Sequence, residues 1–195
     1  MSFRDAPGST PLDPDETEGL IPAHLMTQGA LNAWEQANIA LGAQWAISQA
    51  HRDLLTEGFI RELHHQMFSK TWRWAGTFRK SNKNIGVDWT QISMRLRDLL
   101  DNSQYQIQHG VYDADEMTVR LHHQLVWIHP FPNGNGRHAR LVADLLALRL
   151  GRPRLTWGSG LTPAMPMKKV RDQYLLALRA ADQGQVQDLI RFARS

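Results

Sequence analysis

The chain contains no cysteine, no long apolar run and no strong excess of either charge. Without cysteine, disulfides, thiolate metal sites and a cysteine nucleophile are excluded, and the composition is that of a protein at home in a reducing compartment. Its most apolar stretch, Leu141 to Leu150, is broken by Asp144 and Arg149, well short of the roughly 18 apolar residues that a membrane span requires. The N-terminal segment, Met1 to Glu18, is polar, acidic and proline-bearing, unlike a secretory leader. A cytoplasmic protein with no membrane partner is therefore expected. The formal net charge is +3 and the arginines are scattered without a basic run, which reads as a solvated surface and not as a nucleic-acid footprint.

What is present fits one compact domain: 195 residues, 42% hydrophobic and 21% charged. Residues 1–29, with Pro7, Pro11, Pro14 and Pro22, read as an extended arm, and residues 30–195 as a single domain. In that domain apolar residues recur at helical spacing. Leu31, Trp34, Leu41 and Trp45 suggest one apolar face. Phe59, Leu63 and Met67 suggest another, with Thr56 as its N-cap. Thr90 is placed to cap a helix carrying Ile92, Leu96, Leu99 and Leu100. Asp113 and Glu116 have capping-box spacing ahead of Met117, Leu121, Leu125 and Ile128. Leu141, Leu145 and Leu148 lead to a stop at Gly151. Val170, Tyr174 and Leu178 follow a start at Thr162-Pro163, and Val186, Leu189, Ile190 and Phe192 form a last short helix. Only Gly76 to Asp88 lacks this period, and it reads as a small hairpin or exposed loop. The expected fold is an all-α bundle with one non-helical flap.

The segment His129-Pro130-Phe131-Pro132-Asn133-Gly134-Asn135-Gly136-Arg137-His138-Ala139-Arg140 joins two of these helices. Pro130 and Pro132 cannot continue the first helix, so His129 stands at its end. Gly134 and Gly136 let the backbone turn tightly, and the next helix begins with unsatisfied N–H groups and a partial positive charge. Arg137 and Arg140 lie in that first turn, where a cation is otherwise disfavoured. A bound polyphosphate accounts for both. No strand precedes the segment and no Gly-Lys-Ser/Thr follows, so it is not a P-loop. His64-His65 and His122-His123 lack metal-ligand spacing and read as ordinary histidines. Trp34, Trp45 and Trp127 read as core.

The segment resembles the Fic family motif His-Pro-Phe-x-(Asp/Glu)-Gly-Asn-Gly-Arg-x-x-Arg, departing from it only at Asn133. The likeness extends to Trp74-Ala75-Gly76 with Phe78-Arg79, and to Tyr174, Leu178, Ala180, Gly184 and Ile190-Arg191-Phe192. In pattern it is most similar to the bacterial subgroup called mobile mystery protein B. The resemblance implies a Fic-type helical bundle with a small β-hairpin flap. It implies a protein adenylyltransferase that moves AMP from ATP, with Mg²⁺, onto a Ser, Thr or Tyr hydroxyl of a target protein.

In that reading His129 is the general base. Gly134, Asn135 and Gly136 cradle phosphates, Arg137 and Arg140 neutralise them, and Tyr174 lies near the nucleotide's sugar or base. Lys83, Asn84, Ile85 and Gly86 form the flap that pins the target's backbone. Phe131 anchors the loop from the core. Asn133 replaces the carboxylate that helps hold Mg²⁺, bringing an amide oxygen without charge. Another donor (a different nucleotide, a phosphate or a phosphocholine group) is accordingly an alternative, as is a catalytically silent regulatory module of a mobile-element toxin-antitoxin pair. For restraint, the resemblance suggests Glu18, followed by Gly19, reaching the motif arginines, or a separate antitoxin-like inhibitor.

Overall fold

Side-chain caps start several helices where the sequence placed them. Thr56 accepts from the Phe59 N–H at 3.2 Å and opens a helix whose buried side includes Phe59, Leu63 and Met67. Asp113 accepts from the Glu116 N–H at 2.9 Å, and Met117, Leu121, Leu125 and Ile128 follow inward. The computed structural model describes residues 13–22, 27–49, 51–162 and 164–195. Its helices are α1 (Pro14–Thr17), α2 (Gln28–Ser48), α3 (Glu57–Phe68), α4 (Ile92–Gln108), α5 (Ala114–Ile128), α6 (Asn135–Arg149), α7 (Met167–Asp182) and α8 (Gln187–Arg194).

The pair α5 and α6 is central. One side of it meets α2, α3 and α4 in a core of Leu31, Ile60, Leu63, Met67, Leu96, Leu121, Leu125 and Val142, among others. The other side, through Val119 and Ala143, meets α7 and α8 around Tyr174, Leu189 and Phe192. The junction between α5 and α6 is therefore packed from both sides, which fixes its position. No helix among the described residues is long and apolar enough to cross a membrane.

Several expectations need correction. The inward face of α2 is Leu31, Glu35, Asn38, Gly42 and Ala46, whereas Trp34 and Leu41 are exposed. The helix is apolar on most sides, so hydrophobicity alone did not reveal which face carries the two buried polar groups. Trp127 is likewise exposed, as is Leu148. The cap before α4 is Asp88, which accepts from the Thr90 N–H, so Thr90 falls inside the short 3-10 turn Trp89–Gln91. Helix α7 starts at Met167 behind Pro166, and Pro163 lies outside the described residues.

Among the described residues the flap forms no strand ladder. The one isolated bridge pairs Leu20 with Trp72. Side chains take over the backbone groups that a hairpin would pair. The Arg79 guanidinium collects the carbonyls of Ser81 and Val87, and Asn82 Oδ1 accepts from the Trp89 N–H. The described part of the N-terminal arm is folded back on the domain. Ile21 N–H donates to the Thr71 carbonyl and Arg73 N–H to that of Gly19.

Candidate active site

Helix α5 ends at Ile128, and its C-cap His129 adopts the left-handed conformation, φ 53° and ψ 60°. For a residue with a Cβ this conformation costs about 1–3 kcal/mol and persists only where the surroundings impose it. Here they do. The His129 N–H donates to the Leu125 carbonyl at 3.1 Å, and its carbonyl accepts from Arg79 Nε at 2.7 Å. The ring is buried. Burial first, then the positive charges of Arg79 and Lys83, push its pKa down to about 4. The imidazole is thus neutral at pH 7 and able to accept a proton.

The loop after His129 is stitched from within. Asn135 Oδ1 accepts from the Phe131 N–H at 3.0 Å, and its Nδ2 donates to the Phe131 carbonyl at 2.7 Å. Both ends of this amide serve the loop, which leaves the Asn135 backbone N–H for a ligand. Phe131 is fully buried and stacks on His64 at 3.8 Å, the core anchor that was expected. His64 Nδ1 accepts from the Gly76 N–H, which sets its tautomer. Nε2 then donates to the Asn133 carbonyl at 3.0 Å. His138 donates from below to the Ile60 carbonyl at 2.9 Å. Burial holds both histidines neutral, with His138 at about 4. Gly134 turns the chain into α6 at φ 79°, and a Cβ there would lie 2.6 Å from the Phe68 ring.

Asn135, Gly136 and Arg137 begin α6, so their N–H groups lead the helix. Arg137 lies over the Phe68 ring and donates to Glu35 Oε2 at 2.7 Å. The guanidinium of Arg140 lies 4.7 Å from the centroid of the Tyr174 ring. Tyr174 is buried, and its hydroxyl meets His122 Nε2 at 3.0 Å. It therefore sits beneath the first turn of α6, supporting Arg140. Asn133 Oδ1 accepts from the Gly134 N–H at 2.6 Å and from Arg137 at 3.4 Å, so this oxygen is turned toward the loop's own donors.

The flap lies directly on His129. Gly86 has φ 98°, and a Cβ there would be 2.7 Å from the His129 Cβ. Asn84, Ile85 and Gly86 are exposed, where a target could reach them. Lys83 is different. Its side chain is 3% exposed, and the ammonium bridges Asp13 at 2.7 Å and Glu16 at 2.5 Å. This flap cation holds the arm instead of facing outward.

Glu18 is corrected as well. It is exposed at the C-cap of α1 and forms no ion pair among the described residues. The carboxylate that reaches the motif is Glu35, whose other oxygen accepts from Trp72 Nε1 at 2.7 Å. Sequence reasoning missed Glu35. The available signal was an acidic residue four positions after Leu31 on a buried face, because a buried carboxylate needs a partner.

With this geometry in view, likeness to known proteins has a definite place to fall. Residues 54–147 match the Fic/DOC family, and they contain the flap, His129 and the whole loop. Over those residues the chain is similar to the Fic/DOC family. Two relatives are each called Protein adenylyltransferase Fic. That of Drosophila mojavensis is 26% identical over 190 residues, 91% of this chain and 35% of that protein. That of Drosophila grimshawi is 31% identical over 124 residues, 60% of this chain and 23% of that protein. The chain thus spans about a third or less of the curated relatives it matches. Among solved structures, Fic-1 from C. elegans superposes with a TM-score of 0.64 at 23% identity, over 92% of this chain and 51% of that one. BepC from Bartonella tribocorum, with bound AMPPNP, gives 0.66 at 16% identity, over 93% and 97%. These likenesses establish the Fic-type all-α fold.

Proposed function

We propose that this chain is a protein adenylyltransferase that moves AMP from ATP to a Ser, Thr or Tyr hydroxyl of a target protein. The observation that carries the reading is a buried, neutral His129 lying between the flap residue Gly86 and the arginine-bearing start of α6. The names of the insect relatives agree with it. His129 takes the proton of the target hydroxyl, and the oxygen attacks the α-phosphorus of ATP in line. A new P–O bond forms to the target, the bond between the α- and β-phosphates breaks, and pyrophosphate leaves. The helix N–H groups, Arg137 and Arg140 stabilise the charge that moves onto the leaving phosphates.

Mg²⁺ enters with ATP as part of the donor. The loop would offer it one neutral oxygen, that of Asn133, once this turns from the Gly134 N–H and Arg137, and the phosphates and water would supply the remaining ligands. That missing charge is the observation favouring a second reading, in which the same fold uses another nucleotide, a phosphate or a phosphocholine donor. The residues that receive the target are Asn84, Ile85 and Gly86 of the flap, with Lys83 once the arm releases it.

Restraint is assigned to Glu35. Its carboxylate occupies Arg137, so a triphosphate must displace it to engage that arginine fully. The finer likeness to mobile mystery protein B, and with it an antitoxin-like partner, rests on the motif pattern of the sequence.

The test is incubation with each of four α-labelled nucleoside triphosphates and a cell lysate. Wild type labels protein from ATP, whereas His129→Ala loses about 10²–10⁴-fold of the rate, the range of a general base, and still binds ATP. Full labelling by the variant would overturn the assignment.

A further inference from the structure

Arg79 is 2% exposed, and among the described residues it forms no ion pair with a carboxylate. Burying a guanidinium without a counter-charge is expensive unless its donors are satisfied. Each of the three guanidinium nitrogens donates to backbone carbonyls, in one of two places. On the flap, the terminal nitrogens reach the Ser81 carbonyl at 2.7 Å and the Val87 carbonyl at 2.5 Å. On the end of α5, Nε reaches the His129 carbonyl at 2.7 Å and a terminal nitrogen the Ile128 carbonyl at 3.4 Å. The backbone N–H of Arg79 adds a third point, the Pro130 carbonyl at 3.0 Å. The planar fork of donors matches this spread of acceptors, whereas a lysine has one point charge to share among them.

The carbonyls of Ile128 and His129 are among those a helix leaves without internal partners, where a cation is favourable. The bond to the His129 carbonyl also fixes the peptide of a residue held in a strained conformation. Through Val87 the same guanidinium draws the flap inward until Gly86 touches the His129 Cβ.

We propose that Arg79 is a positioning residue for the transfer step, locking the His129 peptide and the inner edge of the flap into one geometry so that base and target hydroxyl align together. This rests on the adenylyl-transfer reading of the site. Arg79 touches neither nucleotide nor target in that reading, so its loss is felt in turnover and not in ATP binding.

Arg79→Lys and Arg79→Met test it, each compared for labelling rate, ATP affinity by calorimetry, flap amide exchange and the titration of the His129 ring followed by NMR. Both variants should bind ATP within about twofold of wild type, a difference of under half a kcal/mol. Both should lose at least about tenfold in turnover, since small misplacements of reacting groups are costly. The amides of residues 81–87 should exchange faster in both.

The cations facing His129 are Arg79 and Lys83. Removing one charge in Arg79→Met should therefore raise the His129 titration and carry the acid limb of the rate profile to higher pH. Arg79→Lys should leave both near wild type while turnover still falls. A lesion that only loosened the fold would not separate the two variants in this way. Turnover within twofold of wild type in Arg79→Met, with His129→Ala inactive, would overturn the proposal.

Should wild type transfer no nucleotide, the adenylyl reading fails, and exchange and titration still decide whether Arg79 locks flap to base. Should both variants unfold, the wild-type Arg79 Nε–H decides. Slow exchange with solvent supports the lock, and rapid exchange refutes it.

Discussion

The loop from His129 to Arg140 and the flap from Phe78 to Asp88 meet at the His129 side chain, yet they are held in different ways. The loop is closed by its own residues: Asn135 binds both backbone groups of Phe131, and Gly134 supplies the turn. His64 and His138 pin it to the core below. The flap has no ladder among the described residues and depends on distant partners. Arg79 ties it inward to the end of α5, and Asp13 and Glu16 tie Lys83 outward to the arm. A segment closed by local bonds keeps its shape wherever the helices hold its ends. A segment held by remote charges can change shape when one of them is removed.

The largest break in this contrast should come from the loop. Asn135→Ala leaves the buried N–H and carbonyl of Phe131 without partners, at about 1–3 kcal/mol each. Thermal or urea unfolding should show that loss, together with near-complete loss of transfer. Unchanged stability would mean the loop is held by its ends alone.

Acid should act on the same pins. His122 is held down at about 3, His129 and His138 at about 4, and His64 well below the ordinary value. Unfolded histidines titrate near 6.5, so below that pH the unfolded chain binds more protons than the folded one. Stability is therefore full above about pH 6.5 and falls as the pH drops toward 4, by up to about 1.4 kcal/mol per pH unit for each such histidine. Urea titrations across this range measure the slope, and a flat profile would contradict the burial of these rings.

A smaller and more selective effect is expected in the flap. Gly86→Val places a branched side chain against the His129 Cβ at a positive φ. Target labelling should fall by about 10²-fold, the scale of an ångström-sized misplacement, while calorimetry finds ATP affinity nearly unchanged. An equal loss of ATP affinity would show that the flap and the loop are not separable.

The smallest effect is a gain. Glu35→Gln keeps a hydrogen-bond acceptor for Trp72 and removes the negative charge that pairs with Arg137. If the pair competes with the triphosphate by about 1 kcal/mol, ATP affinity and labelling should rise roughly fivefold. No change on titrating ATP would place the restraint elsewhere.

Much of the loop was legible in advance because its chemistry is local. Proline after His129, glycine at 134 and arginines in the first turn each impose their effect within a few residues, and so do the caps Thr56 and Asp113. The face of α2 was misread because Trp34 and Leu41 outweigh Glu35 on any hydrophobicity scale, although the buried positions are those that meet α3 and α6. Glu18 was chosen by its neighbour Gly19 in sequence, whereas Glu35 reaches Arg137 across 102 positions.

The sequence by itself determined the all-α character, the turn between α5 and α6, and the places of His129 and the two arginines, because period, caps and turn residues act at short range. Only the tertiary structure decided which carboxylate meets Arg137, which cation closes the flap and which one holds the arm. Those pairings join residues 50 to 102 positions apart, where packing of helices, and not the order of residues, sets who meets whom.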